Sequence, residues 1–111
     1  MEENIKELSE PPISYEQFQL LVAKWTDDTM VFSTWRQISD HPVCQEIIKM
    51  GKSIIPFIMS DLQEKLTNHW FGVLTSITGE SPVPKQDRGK ILKMREAWLE
   101  WGRIKGYLKE K

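Results

Sequence analysis

Two histidines and a single cysteine are the residues of this 111-residue chain best suited to chemistry. Cys44 is the candidate nucleophile, and His41 stands three residues before it, whereas His69 and Glu80 come later in the chain. A thiol needs a neighbouring base to become an effective nucleophile. An enzymatic or small-ligand site would therefore have to gather His41, Cys44, His69 and Glu80 by tertiary folding. The favoured interpretation of Cys44 is a buried, inert thiol, because it stands beside Val43 in an apolar helical segment.

The same histidines carry a weak metal signal. A metal site needs three or four ligands, which Asp40, His41 and His69, with Asp61 or Glu64, would supply only if the fold brought them together. Both histidines stand at or near predicted helix starts, where polar side chains act as caps. The phosphate-binding glycine loop and the hydrolase serine motif are missing from the sequence. We therefore predict a non-enzymatic protein with no catalytic, cofactor-binding or metal-binding residues and no cofactor.

Composition places the chain among ordinary globular proteins. Hydrophobic residues make up 40% and charged residues 28% of the chain, and one cysteine allows no internal disulfide. The longest nearly uninterrupted apolar stretch, residues 54–59, is far shorter than the roughly 20 residues of a membrane span. The first twelve residues are acidic and do not resemble a signal peptide. These features predict a cytoplasmic protein that does not enter a membrane.

Charge is distributed unevenly, although the net charge is −1. Residues 1–28 hold seven acids and two bases, and residues 85–111 hold nine bases and four acids. We expect the two ends to neutralise each other in the fold or across a dimer; the alternative is a basic surface for an acidic partner. The pattern argues against binding of nucleic acid, because Glu96 and Glu100 interrupt the basic residues and the last helix has no base-reading Asn or Gln.

The first helical element is the best defined. Residues 1–12 form an acidic lead that we expect to be flexible, and Ser14 and Gln17 then provide a capping box. Apolar residues at helical spacing continue to about Trp25, and the polar residues 26–29 are expected to end the helix.

The second and third helices are predicted from spacing and from caps. Apolar residues spaced 1, 3 and 3 apart predict a short helix over residues 31–38. Asp40 or His41 is then the expected cap of a third helix, with Pro42 in its first turn and Gly51 at its end.

Three further helices follow at similar spacing. One is predicted over residues 53–66, a second one over residues 70–77 with Thr67 or Asn68 as its cap, and the last over residues 90–104. The chain is thus predicted to be all-α, with five or six short helices packed as HEAT-like hairpins in a small bundle. The expected organisation is a lead over residues 1–12, one helical domain over 13–107 and a charged tail over 108–111.

The five tryptophans lie at helical spacing on apolar faces and are predicted to be mainly core residues. In the last helix, Leu92 and Leu99 form a narrow stripe that Arg95 and Arg103 flank. Such a stripe is typical of a partner surface or a dimer seam, but it would equally suit a helix buried on both faces. With the corner at the start of the preceding helix, the candidate interaction surface comprises Leu92, Arg95, Leu99, Arg103, His69 and Trp70.

A string of uncommon residues in fixed order resembles a group of small bacterial proteins that have no assigned function. The resemblance covers about residues 25–107 and departs at two positions, because Gly72 and Cys44 stand where the pattern has aromatic residues. It implies a bacterial or phage-type, cytoplasmic, all-helical domain and implies no activity. The residues that carry it are His41-Pro42, Ile47-Ile48, Met50-Gly51, Pro56, His69-Trp70-Phe71, Leu74, Ile77-Thr78-Gly79-Glu80, Pro82-Val83, Gly89, Met94, Ala97-Trp98-Leu99, Trp101-Gly102 and Gly106-Tyr107.

The sequence thus favours a small protein-interaction module, regulatory or of the antitoxin or immunity type, whose partner is another protein or a second copy. Two alternatives stay open. One is an enzymatic or ligand-binding site at His41, Cys44, His69 and Glu80, and the other is weak binding of nucleic acid by the basic last helix.

Overall fold

Six α-helices and two short 3-10 helices form the part of the chain that the computed structural model describes, residues 11–32, 34–65 and 69–108. These ranges contain no β-strand, and the all-α prediction is confirmed. The expected caps Thr67 and Asn68, and most of the predicted lead and tail, lie outside the described residues. The α-helices are α1 (Tyr15–Thr29), α2 (Trp35–Ser39), α3 (Pro42–Met50), α4 (Ile55–Glu64), α5 (His69–Thr78) and α6 (Ile91–Lys105), and the 3-10 helices are Gly51–Ile54 and Lys85–Asp87.

Helix α1 begins as predicted and ends later than predicted. The Ser14 hydroxyl accepts a hydrogen bond from the Gln17 backbone N–H, and the Gln17 side chain accepts one from the Ser14 N–H, each at 3.1 Å. The prediction that residues 26–29 end the helix is wrong. The Thr29 hydroxyl donates to the Trp25 carbonyl at 2.6 Å, and an ion pair of Lys24 with Asp28 spans the same turn. Polar residues therefore extend this helix instead of breaking it.

Helix α2 is shorter than predicted. Its cap is Thr34, whose hydroxyl accepts from the Gln37 backbone N–H, so the helix begins at Trp35 and not at Val31. Ile38 is the one buried side chain of this helix. The spacing of the apolar residues was therefore not the sign of a buried helical face, and Val31 lies in the turn before the helix.

The boundaries of the later helices agree with the cap and glycine signals. His41 Nδ1 accepts a hydrogen bond from the Val43 N–H at 3.1 Å, which makes His41 the cap of α3. Gly51 ends α3 with φ of 68°, and Gly106 ends α6 with φ of 90°, a region of backbone space that favours glycine. Helix α4 begins two residues later than expected, after the 3-10 helix.

Helix α5 lies at the centre of the bundle and contacts α2, α3, α4 and α6. Its Trp70 ring meets the Trp25 ring edge-on at 5.4 Å and stacks on Phe18 at 5.6 Å, distances typical of favourable aromatic pairs. The Trp70 indole N–H donates to Asp61 at 2.8 Å, so the polar atoms of this buried cluster are satisfied. The aromatic residues of α1 and α5 thus hold the helices in fixed positions, including those that carry the surface described below.

Candidate protein-interaction surface

The predicted stripe on α6 is divided between surface and core. Leu92 is 59% exposed, but Leu99 is only 4% exposed because α4 and α5 pack against this part of α6. A Cβ atom on Gly102 would lie 2.7 Å from Met59 Sδ, which shows how closely α4 approaches α6. Leu99 as a surface residue is therefore a wrong prediction. Around Leu99 the alternative of a helix buried on both faces is the one that the structure contains.

Arg95 and Arg103, which flank the stripe, form contacts within the chain. Arg95 Nε donates to the Leu62 carbonyl at 2.8 Å, and the same guanidinium donates to the Gln63 carbonyl. These carbonyls belong to the last turn of α4, where a helix leaves acceptors unsatisfied. Arg103 forms an exposed pair with Glu100 at 3.3 Å. Arg95 thus joins α6 to the end of α4, and its donors are engaged within the fold.

The His69–Trp70 corner lies inside the bundle. Trp70 is fully buried, so its predicted place on the surface is wrong. His69 is half-buried, with Nε2 3.0 Å from the Thr29 hydroxyl and its ring edge-on to Trp25 at 4.8 Å. Burial lowers the pKa of His69 and favours its neutral form. A cleft of about 370 Å³ lies beside this corner, and Met30 lines its outer edge.

Cys44 and His41 do not form a nucleophile and base. Burial raises the pKa of the Cys44 thiol to about 11, so the thiol stays protonated near neutral pH. His41 uses Nδ1 to cap α3 and places Nε2 2.8 Å from Asp28 Oδ2. The hydrogen bond from His41, with one from Lys24, lowers the pKa of Asp28. Both ring nitrogens of His41 thus serve the junction between α1 and α3.

The structure also separates His69 from Glu80. His69 begins α5 and Glu80 follows its end, and ten helical residues span about 15 Å. Glu80 accepts a hydrogen bond from the Trp101 indole N–H at 2.9 Å, and this bond, together with Lys105, lowers the pKa of Glu80. The four residues of the enzymatic hypothesis therefore do not share one site. Within the described ranges, no group of three or more His, Cys, Asp or Glu side chains is placed to hold a metal ion.

The most exposed apolar surface is the turn that joins α1 to α2. Its exposed fractions are 71% at Met30, 82% at Val31, 39% at Phe32 and 37% at Trp35. We call these four residues the apolar turn. Large apolar side chains that are close together and exposed mark interaction sites more often than single exposed residues do. The sequence did not predict this surface, because the spacing of Val31, Phe32 and Trp35 indicated a helix there.

Trp35 lies against the backbone of α5 at Gly72. A Cβ atom at Gly72 would lie 2.4 Å from Trp35 Cε2, so the contact requires glycine. The indole N–H groups of Trp35 and Trp98 have no hydrogen-bond partner in the part of the chain that is described, whereas those of Trp25, Trp70 and Trp101 each donate one. Of these two residues, Trp98 is buried and Trp35 is exposed.

An apolar slot of about 320 Å³ opens beside the Trp35 ring, between α2, α5 and the start of α6. The Trp35 ring occupies the space that a Cβ atom of Gly72 would take, and both residues line the slot. Its size suits one or two side chains and is at the lower limit of small-molecule pockets. Its lining residues are Trp35, Ile38, Phe71, Gly72, Gly89, Ile91 and Met94.

Basic residues flank this slot in the chain. Arg36 follows Trp35, and Arg88 and Lys90 stand on either side of Gly89; all three are exposed. None of the three forms an ion pair with another described residue. Across residues 11–32, 34–65 and 69–108, no ion pair joins the acidic beginning to the basic end. Direct ion pairs between described residues therefore do not neutralise the two ends as expected.

A second, shallower groove follows the outer face of α6. It has a volume of about 700 Å³, and Leu92 and Ile104 line it together with Pro82 and Pro84. Ile104 is 72% exposed, although the sequence placed it on the tryptophan face. Asp87, Glu96 and Glu100 line this groove with a single base, Lys93, so its charge does not favour an acidic partner.

No match was found among protein-family models, curated proteins or solved structures. The functional argument therefore rests on the surface itself. None of the helices in the described ranges has the length and apolar character needed to cross a membrane. A sequence signal for the apolar turn did exist, since three apolar residues stand between the end of α1 and the cap Thr34, where loops are usually polar.

Proposed function

We propose that this chain is a non-enzymatic protein-interaction module and that the apolar turn is its contact surface. The observation that carries the proposal is the exposure of four large apolar side chains between two helices fixed by the aromatic core. Tryptophan is among the residues that most often dominate binding energies in protein interfaces.

The surroundings of the turn support binding more than catalysis. The nucleophile candidate Cys44 is buried with a raised pKa, and His41 is engaged at a helix cap. The apolar slot beside Trp35 contains no ionisable side chain among its lining residues. The lining of the slot thus suits apolar groups and offers no group that transfers a proton. In the cleft that Met30 lines, His69 Nε2 is engaged with the Thr29 hydroxyl.

The bacterial origin, the cytoplasmic location, the HEAT-like packing and an antitoxin- or immunity-like role stay predictions. They derive from the sequence and from its resemblance to the bacterial group. In this proposal the partner is either a second copy of the chain or a different protein.

The proposal is tested by comparing two exposed apolar positions. Val31→Asp alters the apolar turn and Leu92→Asp alters the groove on α6, and both positions are mainly exposed in the folded protein. Surface substitutions of this kind change stability by about 0.5 kcal/mol or less. Each variant and the wild type are used to capture proteins from an extract of the source organism, and each captured protein is then purified and titrated by calorimetry.

The expected partner binds wild type and Leu92→Asp equally and binds Val31→Asp at least about 10-fold more weakly, as loss of an interface anchor requires. Sedimentation of the purified chain tests self-association in the same three proteins. A partner that is lost with Leu92→Asp and kept with Val31→Asp would move the contact surface to α6. Turnover of a substrate by the purified chain would contradict a non-enzymatic role.

A further inference from the structure

We propose that the slot beside Trp35 is a recognition pocket for an acidic peptide segment, with an apolar side chain inserted in the slot and carboxylates at its basic rim. This inference rests on the proposed function and adds the chemistry of the partner. Three observations carry it, namely the shape of the slot, the unused donor of Trp35 and the unpaired cations around it.

The slot accepts an apolar group. Trp35, Phe71 and Met94 are among the residues that line it, and none of its lining residues has an ionisable side chain. A volume of about 320 Å³ accommodates a leucine, methionine or phenylalanine side chain with space remaining. A nucleobase would lose the hydration of its polar edges in such a slot, which contains no charged lining residue to replace it.

The Trp35 indole supplies one directed polar contact. Its N–H has no partner in the described chain and lies on a ring that is 37% exposed. A tryptophan N–H at an interface normally finds an acceptor. The backbone carbonyl or a carboxylate of a bound peptide supplies that acceptor beside the inserted side chain, which fixes the direction of the peptide across the slot.

Cations that neighbour the lining residues in the chain favour acidic residues in the partner. Arg36, Arg88 and Lys90 are exposed and unpaired among the described residues, while Asp40 and Asp87 are the nearest acids in the sequence. Unpaired cations around an apolar site favour a partner of opposite charge and speed its association at low ionic strength. The α6 groove is lined by three acids and one base, so of these two surfaces the slot is the one whose charge favours an acidic partner.

The test is a selection from displayed peptides that share one central apolar residue and are random elsewhere. Wild-type protein is expected to enrich peptides with Asp and Glu around that residue. The selected peptide is then titrated against purified variants. Trp35→Ala should weaken binding about 30-fold, which is typical of an anchoring tryptophan, and Trp35→Phe, which keeps a ring but removes the donor, should weaken it about 5-fold.

Charge reversal separates the rim from the slot. The Arg88→Glu/Lys90→Glu variant should bind the acidic peptide at least about 10-fold more weakly and should select peptides rich in Lys and Arg instead. The matched control is Arg103→Glu/Lys105→Glu on the other end of α6, which should leave binding within about 2-fold. Circular dichroism and thermal unfolding of every variant identify any loss that reflects unfolding.

Each other outcome has a defined meaning. Enrichment of apolar peptides without acidic residues, with binding lost in Trp35→Ala, would overturn the acidic partner and leave the proposed interaction function intact. Peptides that bind Trp35→Ala as tightly as wild type, or no enrichment at all, would overturn the pocket. Tighter binding of single-stranded DNA than of the selected peptides would assign the site to nucleic acid, and a dimer that Trp35→Ala dissociates would assign it to a second copy.

Discussion

Trp35 and Trp101 both lie at an edge of the bundle, yet their surroundings differ. Trp101 is 7% exposed, stacks on Tyr107 at 5.5 Å and donates its N–H to Glu80, which also pairs with Lys105. Trp35 is 37% exposed, rests on Gly72 and has an unused N–H in the described chain. We call the first region the closed edge and the second the open edge.

The comparison shows how a residue type divides between stability and recognition. At the closed edge the ring and the donor are both satisfied by the same chain, so the residue contributes to folding. At the open edge the ring rests on Gly72 and 37% of the residue is exposed, so it is accessible to a partner. Arg36, Arg88 and Lys90, which pair with no other described residue, neighbour residues of the open edge in the chain.

Removal of the two rings is expected to give the largest difference in stability. Trp101→Ala should lower the free energy of unfolding by about 3–5 kcal/mol, as is usual for a buried tryptophan. Trp35→Ala should lower it by less than half of that amount, because much of the ring already contacts solvent. Urea unfolding followed by circular dichroism measures both values. Equal losses for the two variants would remove the distinction between the edges.

A pair of glycines provides a more conservative test. A Cβ atom at Gly102 would meet Met59, which is fully buried, whereas a Cβ atom at Gly72 would meet the exposed Trp35 ring. Overpacking lowers the free energy of unfolding by about 1–3 kcal/mol, whereas replacing a helical glycine by alanine raises it by about 1 kcal/mol. Gly102→Ala should therefore be net destabilising, and Gly72→Ala close to neutral in urea unfolding.

The near-neutral Gly72→Ala variant should nevertheless lose binding at the open edge. Its Cβ displaces the Trp35 ring and changes the shape of the slot, so a peptide selected on the wild type should bind about 10-fold more weakly. Unchanged affinity in calorimetry would show that the position of the ring does not matter for recognition.

The smallest expected effect is a dependence on pH at the closed edge. The Trp101 N–H bond and Lys105 lower the pKa of Glu80, so the folded state favours its carboxylate more than the unfolded state does. The Glu80 carboxylate thus stabilises the folded state fully above the ordinary glutamate pKa of 4.5. This stabilisation is lost as the pH falls below that value and through the pKa of the folded state.

Wild type should therefore be more stable than Glu80→Gln at neutral pH, and the two should converge in acid. Asp28, whose pKa is also lowered, is present in both proteins and cancels in the difference. Urea unfolding of the pair at a series of pH values measures the effect. A difference that stays constant on acidification would show that the carboxylate charge does not stabilise this edge.

The helices with explicit local signals were predictable from the sequence. The capping box at Ser14, the His41 cap and the glycines Gly51 and Gly106 define ends through local hydrogen bonds or backbone conformation, and the structure contains them. The end of α1 was not predictable in the same way, because the Thr29 hydroxyl bond and the Lys24–Asp28 pair appear only once the helix has formed.

The site was less predictable because burial depends on tertiary contacts. Leu92 and Leu99 share one helix face, yet only the second meets α4 and α5. Spacing likewise assigned Val31 and Trp35 to a helix face, whereas the cap at Thr34 separates them. The contact between Trp35 and Gly72 joins residues far apart in the chain, and no local pattern records it.

The most direct test of the account follows the indole N–H signals by NMR, with the Trp35 signal assigned by its loss in Trp35→Phe. In the free protein the Trp35 N–H should exchange with water faster than the N–H groups of Trp25, Trp70 and Trp101. On addition of the selected acidic peptide its exchange should slow and its signal should move, while the others change little. A Trp35 N–H that is protected in the free protein, or unaffected by every bound peptide, would contradict recognition at the open edge.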